Sequence, residues 1–231
     1  MGRERTNARP PNAAPRDKKD YYPTPMWCVD GLVHALKRSE CLRRDQWPVE
    51  LVVDIGSGDG RIGSAVACGC VDLYGWEMPE LVTVEPEPPV GVQASYIGTF
   101  QDYLREPGLR LPWIGSRTLF VSNPPFSQSH EIVELTVRML HETAREGSMA
   151  FFLLRMDWRA SLTVALGLWE SHPPAVEFPL SPRPSFVVSE LGSTTDFYNY
   201  AWHGWAKQTP RVRDRWSWPV VGPHRPRKKK A

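Results

Sequence analysis

Short apolar runs alternate along this chain with stretches whose apolar residues recur every three or four positions. Leu51-Val52-Val53-Asp54-Ile55 is nearly all apolar and rich in β-branched residues, and it breaks at Gly56-Ser57-Gly58-Asp59-Gly60. Such a run reads as a parallel strand covered on both faces. Val71–Glu77, Val92–Ile97, Arg117–Ser122 and Met149–Leu154 read as further strands. Ahead of the first strand Trp27, Val29, Leu32, Val33 and Leu36 fall at helical spacing, as do Ile132, Val133, Leu135, Val137, Met139 and Leu140 between two later ones. Shorter helices are expected near 61–67 and 159–169, and a loop from Pro79 to Pro89. Residues 176–188 are too proline-rich for a central strand. The aromatic alternation over 194–205 fits a late antiparallel strand. Strands alternating with helices make a doubly wound α/β sheet. The expected architecture is seven-stranded and mostly parallel, with helices on both faces.

Two stretches carry chemistry. Gly56, Gly58 and Gly60 let the backbone turn sharply and come close to a ligand, at the carboxyl end of a strand where open α/β sheets bind ligands. The Asp-x-Gly-x-Gly-x-Gly spacing is neither the dinucleotide fingerprint nor a P-loop. An acid about twenty residues after such a turn can accept hydrogen bonds from ribose hydroxyls. Glu77 occupies that position, with Asp72 and Glu80 as rivals. The second stretch is Asn123-Pro124-Pro125-Phe126, directly after an apolar strand. Two prolines fix a rigid, extended backbone, and this one presents an amide and an aromatic ring. Upstream, Tyr22-Pro23-Thr24-Pro25 leads into the first helix, with Thr24 as a candidate N-cap.

Asn123-Pro124-Pro125-Phe126 resembles the Asp/Asn-Pro-Pro-Tyr/Phe motif of amino-group methyltransferases. With the Thr-Pro stretch ahead of the glycine turn, and Ser185-Phe186 and a final strand behind, the chain resembles the phage-type Dam-like N6-adenine DNA methyltransferases over roughly 20–205. The resemblance implies a class I, Rossmann-like fold that binds S-adenosylmethionine (SAM) and transfers its methyl group to the exocyclic amine of adenine. It implies that Asp54, Ile55, Gly56 and Gly58 shape the SAM site, that Glu77 holds the ribose, and that Tyr22, Thr24 and Pro25 meet the methionine end. Asn123, Pro124, Pro125 and Phe126 would be catalytic and hold the target base, with Asn123 also bordering SAM. Where the family often has Gly-Asp-Phe at the adenine edge this chain has Gly98-Thr99-Phe100, with Asp102 three residues on. Thr99 and Phe100 are the candidates there, and Phe100 is equally a core aromatic. The motif also occurs in RNA adenine, rRNA guanine and glutamine methyltransferases, so it specifies a planar amine or amide better than it specifies the polymer. A nucleic-acid-binding protein that has lost catalysis is the other alternative, resting on Thr99 alone.

Charge bears on the polymer. The net charge is +2, but the first twenty residues carry +3 and residues 207–231 carry +8, leaving −9 for the body. Basic ends on an acidic body suit tails that contact phosphates, and DNA is favoured over RNA. The expected organisation is a disordered basic tail over 1–19, a methyltransferase domain over 20–206, and a basic, flexible tail over 207–231. Cys28, Cys41, Cys68 and Cys70 make no metal pattern and read as reduced thiols of a cytoplasmic protein (host cytoplasm, if viral). No run of about 18 apolar residues suggests a membrane span. The part after the Pro-Pro loop is small for an extended recognition domain, which suggests a short or relaxed target.

Overall fold

The computed structural model describes residues 22–39, 48–106, 115–161, 164, 167–186, 188–189, 192–193, 198–207, 216–217 and 220–221. Helix α1 (Met26–Arg38) precedes β1 (Leu51–Ile55), which passes through the glycine turn into α2 (Arg61–Tyr74). Next come β2 (Glu80–Glu85), β3 (Tyr96–Ile97), α3 (Phe100–Arg105), β4 (Thr118–Ser122), α4 (Ser129–Glu142) and β5 (Met149–Arg155). A 3-10 turn (Trp158–Ala160) and the short α5 (Leu168–Ser171) lead to β6 (Val176–Ser181). The pair β7 (Val188–Ser189) and β8 (Gly192–Ser193) precedes β9 (Tyr200–Ala206), and β10 (Trp216–Ser217) and β11 (Val220–Val221) follow it.

The main sheet has the order β3-β2-β1-β4-β5-β9-β6, with β10 and β11 both added in parallel to β6. Only β9 runs against the others, inserted between β5 and β6. The mostly parallel, doubly wound sheet read from the sequence is therefore present, and β10 and β11 extend it. Period-2 alternation divides the core. Val52, Leu119, Val121, Phe151, Leu153 and Trp202 pack under α1 and α2, whereas Leu51, Val53, Phe120, Phe152 and Trp205 pack under α3 and α4. The buried indoles keep their hydrogen bonds: Trp202 Nε1 donates to the Cys28 carbonyl (2.9 Å) and Trp205 Nε1 to that of His172 (2.7 Å).

Several expected elements move. Val71–Glu77 is not a strand. Helix α2 continues to Tyr74 because Val66, Ala67, Cys70 and Tyr74 form one buried helical stripe, and it stops at Gly75, whose φ of 66° is left-handed. The second strand is Glu80–Glu85, inside the stretch expected to be a loop. Strand β3 shrinks to Tyr96–Ile97; in the stretch 159–169 expected to be a helix, a 3-10 turn ends at Ala160, Val164 is helical and a helical turn begins at Leu168, while residues 162–163 and 165–166 lie outside the described residues. Residues 176–181 do form a strand despite Pro179. The β10 and β11 pairings, at Val176–Glu177 and Leu180–Ser181, leave Phe178 and Pro179 between them, and every second residue is buried. Residues 1–19 and most of 208–231 lie outside the described residues, but Trp216–Ser217 and Val220–Val221 carry the sheet past the expected domain end at 206. Cys28, Cys68 and Cys70 are free thiols, and Cys41 lies outside the described residues. Among those residues no group of side chains could hold a metal ion, and no helix is long and apolar enough to cross a membrane.

Gly204 shows how closely the antiparallel strand is packed. It lies opposite Phe151 on one side and Val176 on the other, and a Cβ there would sit 2.3 Å from Phe151 Cε1 and 2.6 Å from Val176 Cγ2. Gly204→Ala is expected to destabilise the fold by about 1–3 kcal/mol through overpacking, read as a lowered urea midpoint. An unchanged midpoint would show that Phe151 can move aside freely.

Candidate active site

The carboxyl ends of β1, β2, β4, β5 and β6 share one edge of the sheet, and the antiparallel β9 begins there. Two loops meet at this edge. The Ser122 hydroxyl donates to the Ile55 carbonyl, tying the end of β4 to the end of β1. The glycine turn folds toward β2: Gly56 N–H and Ser57 N–H both donate to the Val84 carbonyl (2.9 and 3.2 Å). Gly58 N–H donates to Glu85 Oε2 (2.7 Å). Gly56 has φ 63°, a conformation L side chains rarely adopt, and Pro125 lies beside it, 3.6 Å from where a Cβ would be.

Beneath the turn Asp54 is wholly buried, and its Oδ2 accepts from Gly63 N–H (2.8 Å). Gly63 permits that approach, because a Cβ would lie 2.7 Å from Leu81 Cδ1 and 2.9 Å from Asp54 Cβ. Burial pushes the Asp54 carboxyl up to about 7, against the Gly63 N–H, and the charges of Asp59 and Glu85 add to the rise. Asp59 is the opposite case. Partial burial works against its charge, but hydrogen bonds from Arg61 hold it below the usual carboxylate range.

The Pro-Pro loop is anchored from upstream. Asn123 Nδ2 donates to the Tyr22 carbonyl (3.2 Å) and to Thr24 Oγ1 (3.0 Å). Its Oδ1 is buried and has no partner among the described residues. Phe126 lies among aromatic rings, 5.6 Å from Tyr22 and 6.1 Å from Tyr200, and Phe186 packs edge-on 4.9 Å from Tyr200.

The structure brings together Tyr22, Thr24, Asp54, Ile55, Gly56, Gly58 and Asn123 to Phe126. It corrects the roles of others. Thr24 is not the N-cap of α1; Pro25 stands there, and the buried Thr24 hydroxyl faces Asn123. Glu77 is exposed and precedes β2, at the opposite end of the sheet from the glycine turn. The acid at the glycine-turn end of β2 is Glu85, which the sequence reading did not single out. The signal was the run Leu81-Val82-Thr83-Val84, three of its residues β-branched, that ends on it, obscured by prolines at 79 and 86. Thr99 caps α3, its Oγ1 accepting from Asp102 N–H (3.1 Å). Phe100 is a core residue, 3 % exposed and packed with Val53 and Phe120. Also at this edge, and not anticipated, Arg155 stacks over the Tyr198 ring (3.4 Å to its centre) while pairing with Asp157.

No protein-family model matches the sequence, and no curated protein matches it closely. Solved structures do. A Listeria monocytogenes protein assigned to the class I SAM-dependent methyltransferases superposes with a TM-score of 0.52 at 9% identity, covering 88% of this chain and 67% of that one. A type I restriction-modification methyltransferase subunit from Streptococcus thermophilus gives 0.51 at 11% identity over 83% of this chain and 46% of that one. A modification subunit assigned to a type I restriction enzyme of Vibrio vulnificus gives 0.51 at 12%, over 91% and 49%. This chain spans about half the length of those two subunits. The fold is that of the class I methyltransferases.

Asp54 gives the turn a pH signature. A carboxyl whose folded pKa is about 7, against 3.8 ordinarily, favours the fold fully below pH 4 and loses that contribution as pH rises toward 7. Asp54→Asn keeps an acceptor for Gly63 N–H and cannot titrate. Between pH 4 and 7 the melting temperature of the wild type is expected to fall relative to the variant's. Parallel curves would place the Asp54 pKa in the ordinary range.

Proposed function

We propose that this chain is a SAM-dependent methyltransferase acting on the exocyclic N6 amine of adenine in DNA, as the Dam-like resemblance suggests. The observation that carries the reading is the fixed Asn123 amide, whose one unbonded polar atom is a buried acceptor beside the glycine turn.

The residues at the turn suit a nucleoside-bearing cofactor. Backbone at Gly56 to Gly58 leaves room for close approach, and Glu85, although bonded to Gly58 N–H and Glu87 N–H, keeps lone pairs for ribose hydroxyls. SAM would supply a methyl group on a sulfonium, activated for attack by a neutral nitrogen. The chain's own contribution is to the nucleophile. An exocyclic amine is weak because its lone pair is delocalised into the ring. Acceptors on its two hydrogens, Asn123 Oδ1 and the Pro124 carbonyl, favour the tetrahedral nitrogen that forms as it attacks. An amide is no strong base, so the extra proton leaves after transfer. Phe126 offers a face on which the base stacks. A paired adenine would first have to leave the duplex, at a cost of a few kcal/mol.

DNA is favoured by the likeness to restriction-modification subunits and by basic ends flanking an acidic body. Those ends would add salt-dependent, sequence-independent attraction to phosphates.

Asn123→Ala is expected to lower the transfer rate about 10²–10³-fold with SAM affinity nearly unchanged. The product should be N6-methyladenine by mass spectrometry of digested DNA, and label found only in RNA or protein would reassign the polymer. Glu85→Ala should weaken SAM binding by about 1–3 kcal/mol by calorimetry, whereas Glu77→Ala should not. The reverse result would restore Glu77. Removing residues 224–231 should flatten the dependence of log affinity on log salt, and an identical slope would leave that segment no part in binding.

A further inference from the structure

An amide has two ends of nearly equal size, and its use as an acceptor depends on which end faces the reacting group. Here the surroundings decide. A peptide carbonyl can only accept, so the Tyr22 carbonyl at 3.2 Å requires the nitrogen of Asn123 beside it. The Thr24 hydroxyl oxygen, at 3.0 Å, takes the second hydrogen. Both amide hydrogens are used, and Oδ1 is the free end, buried and without a partner among the described residues. Thr24 is itself 3 % exposed, so water does not readily replace it. Tyr22 also packs its ring 5.6 Å from Phe126. One residue thus holds both ends of the Asn-Pro-Pro-Phe loop.

We infer that the Tyr22 carbonyl and the Thr24 hydroxyl are positioning groups for Asn123, and that they make an amide, not a carboxylate, the functional side chain at this position. The inference rests on the reading of this loop as the one that receives the target amine. A flipped amide would set Oδ1 against the Tyr22 carbonyl oxygen. A carboxylate has an oxygen at both ends and would meet the same repulsion. A protonated acid would not, since its O–H can donate to Tyr22 and its other oxygen can still accept. Arg61, which donates to the Thr24 carbonyl (3.4 Å), is already paired with Asp59. An acid at 123 is therefore pushed toward its neutral form.

The test uses the full chain. Its asparagines are Asn7, Asn12, Asn123 and Asn199, so selective 15N-asparagine labelling resolves the Asn123 side-chain amide by NMR. In the ligand-free protein both its hydrogens should exchange with water at least about tenfold more slowly than an open amide, as hydrogen-bonded groups do. Thr24→Val should release one of them and Thr24→Ser should keep both protected. That readout is independent of catalysis: a protected amide in a protein that methylates no adenine polymer would retain the positioning and remove the function. In single turnovers at saturating SAM on an adenine-containing DNA oligonucleotide, Thr24→Val should slow transfer roughly tenfold, the worth of one hydrogen bond, and Thr24→Ser should restore most of it. Asn123→Asp should lose rate, relative to wild type, as pH rises from about 5 to 8, through a carboxyl pKa raised by its surroundings. An unprotected Asn123 amide, a full transfer rate in Thr24→Val, or an Asn123→Asp rate that is flat or rising with pH would overturn the inference. The Asn123→Asp profile decides it even where Thr24→Val does not fold.

Discussion

The hydroxyl of Ser122 on the carbonyl of Ile55 sets the spacing on which the site depends. Strand β1 lies between β2 and β4 in parallel register, Ile55 opposite Val84 and Asp54 opposite Val121. That register brings three strand ends level. The Ser122 bond then fixes the separation of the loops that leave β1 and β4. Pro125 can sit against Gly56 only because both loops start from the same tether. Rigidity in the Pro-Pro segment would be of little use if its root could slide. The fully buried β1 and β4 make that sliding costly, since a one-step slip would turn their core residues to the wrong face.

Electrostatics at the edge follow from the same crowding. The glycine turn holds Asp54, Asp59 and Glu85 close together, and each is accommodated differently. Asp59 has the Arg61 guanidinium. Glu85 has two backbone N–H groups. Asp54 is wholly buried and accepts from a single N–H, so it is the member whose charge is costly. The other two acids of the turn are each met by hydrogen bonds on both carboxylate oxygens.

Much of this was legible in the sequence, for definite reasons. Fully apolar runs such as Met149–Leu154 declare themselves, and so did the glycine turn and the Asn-Pro-Pro-Phe loop, because few other roles demand those residues in that order. Strand two was hidden because prolines at 79 and 86 gave its neighbourhood the look of a loop, and because Val71 and Leu73 resemble a strand until Val66, Cys70 and Tyr74 are seen to share a helical face. Losing the strand displaced the acid at its end from Glu85 to Glu77. The partnership of Thr24 with Asn123 spans 99 positions and leaves no local trace. Propensity marked Thr24 as a cap, but tertiary contact claimed its hydroxyl.

The small strands beside β6 decide where the chain's last segment begins. Strand β9 runs against its neighbours, so it delivers Lys207 to the floor of the sheet, next to Ser148. Left there, everything after it would set out from the side remote from Asn123. The β10 and β11 pairings run parallel to β6, meeting first Val176 and then Ser181, so the chain climbs back the full height of the sheet. Val221 reaches the rim that holds the Pro-Pro loop. Arg225 to Lys230 follow Val221 by only a few positions in the sequence. Under the function proposed above, a cationic segment that starts from this rim would have a high local concentration around a nucleic acid held there.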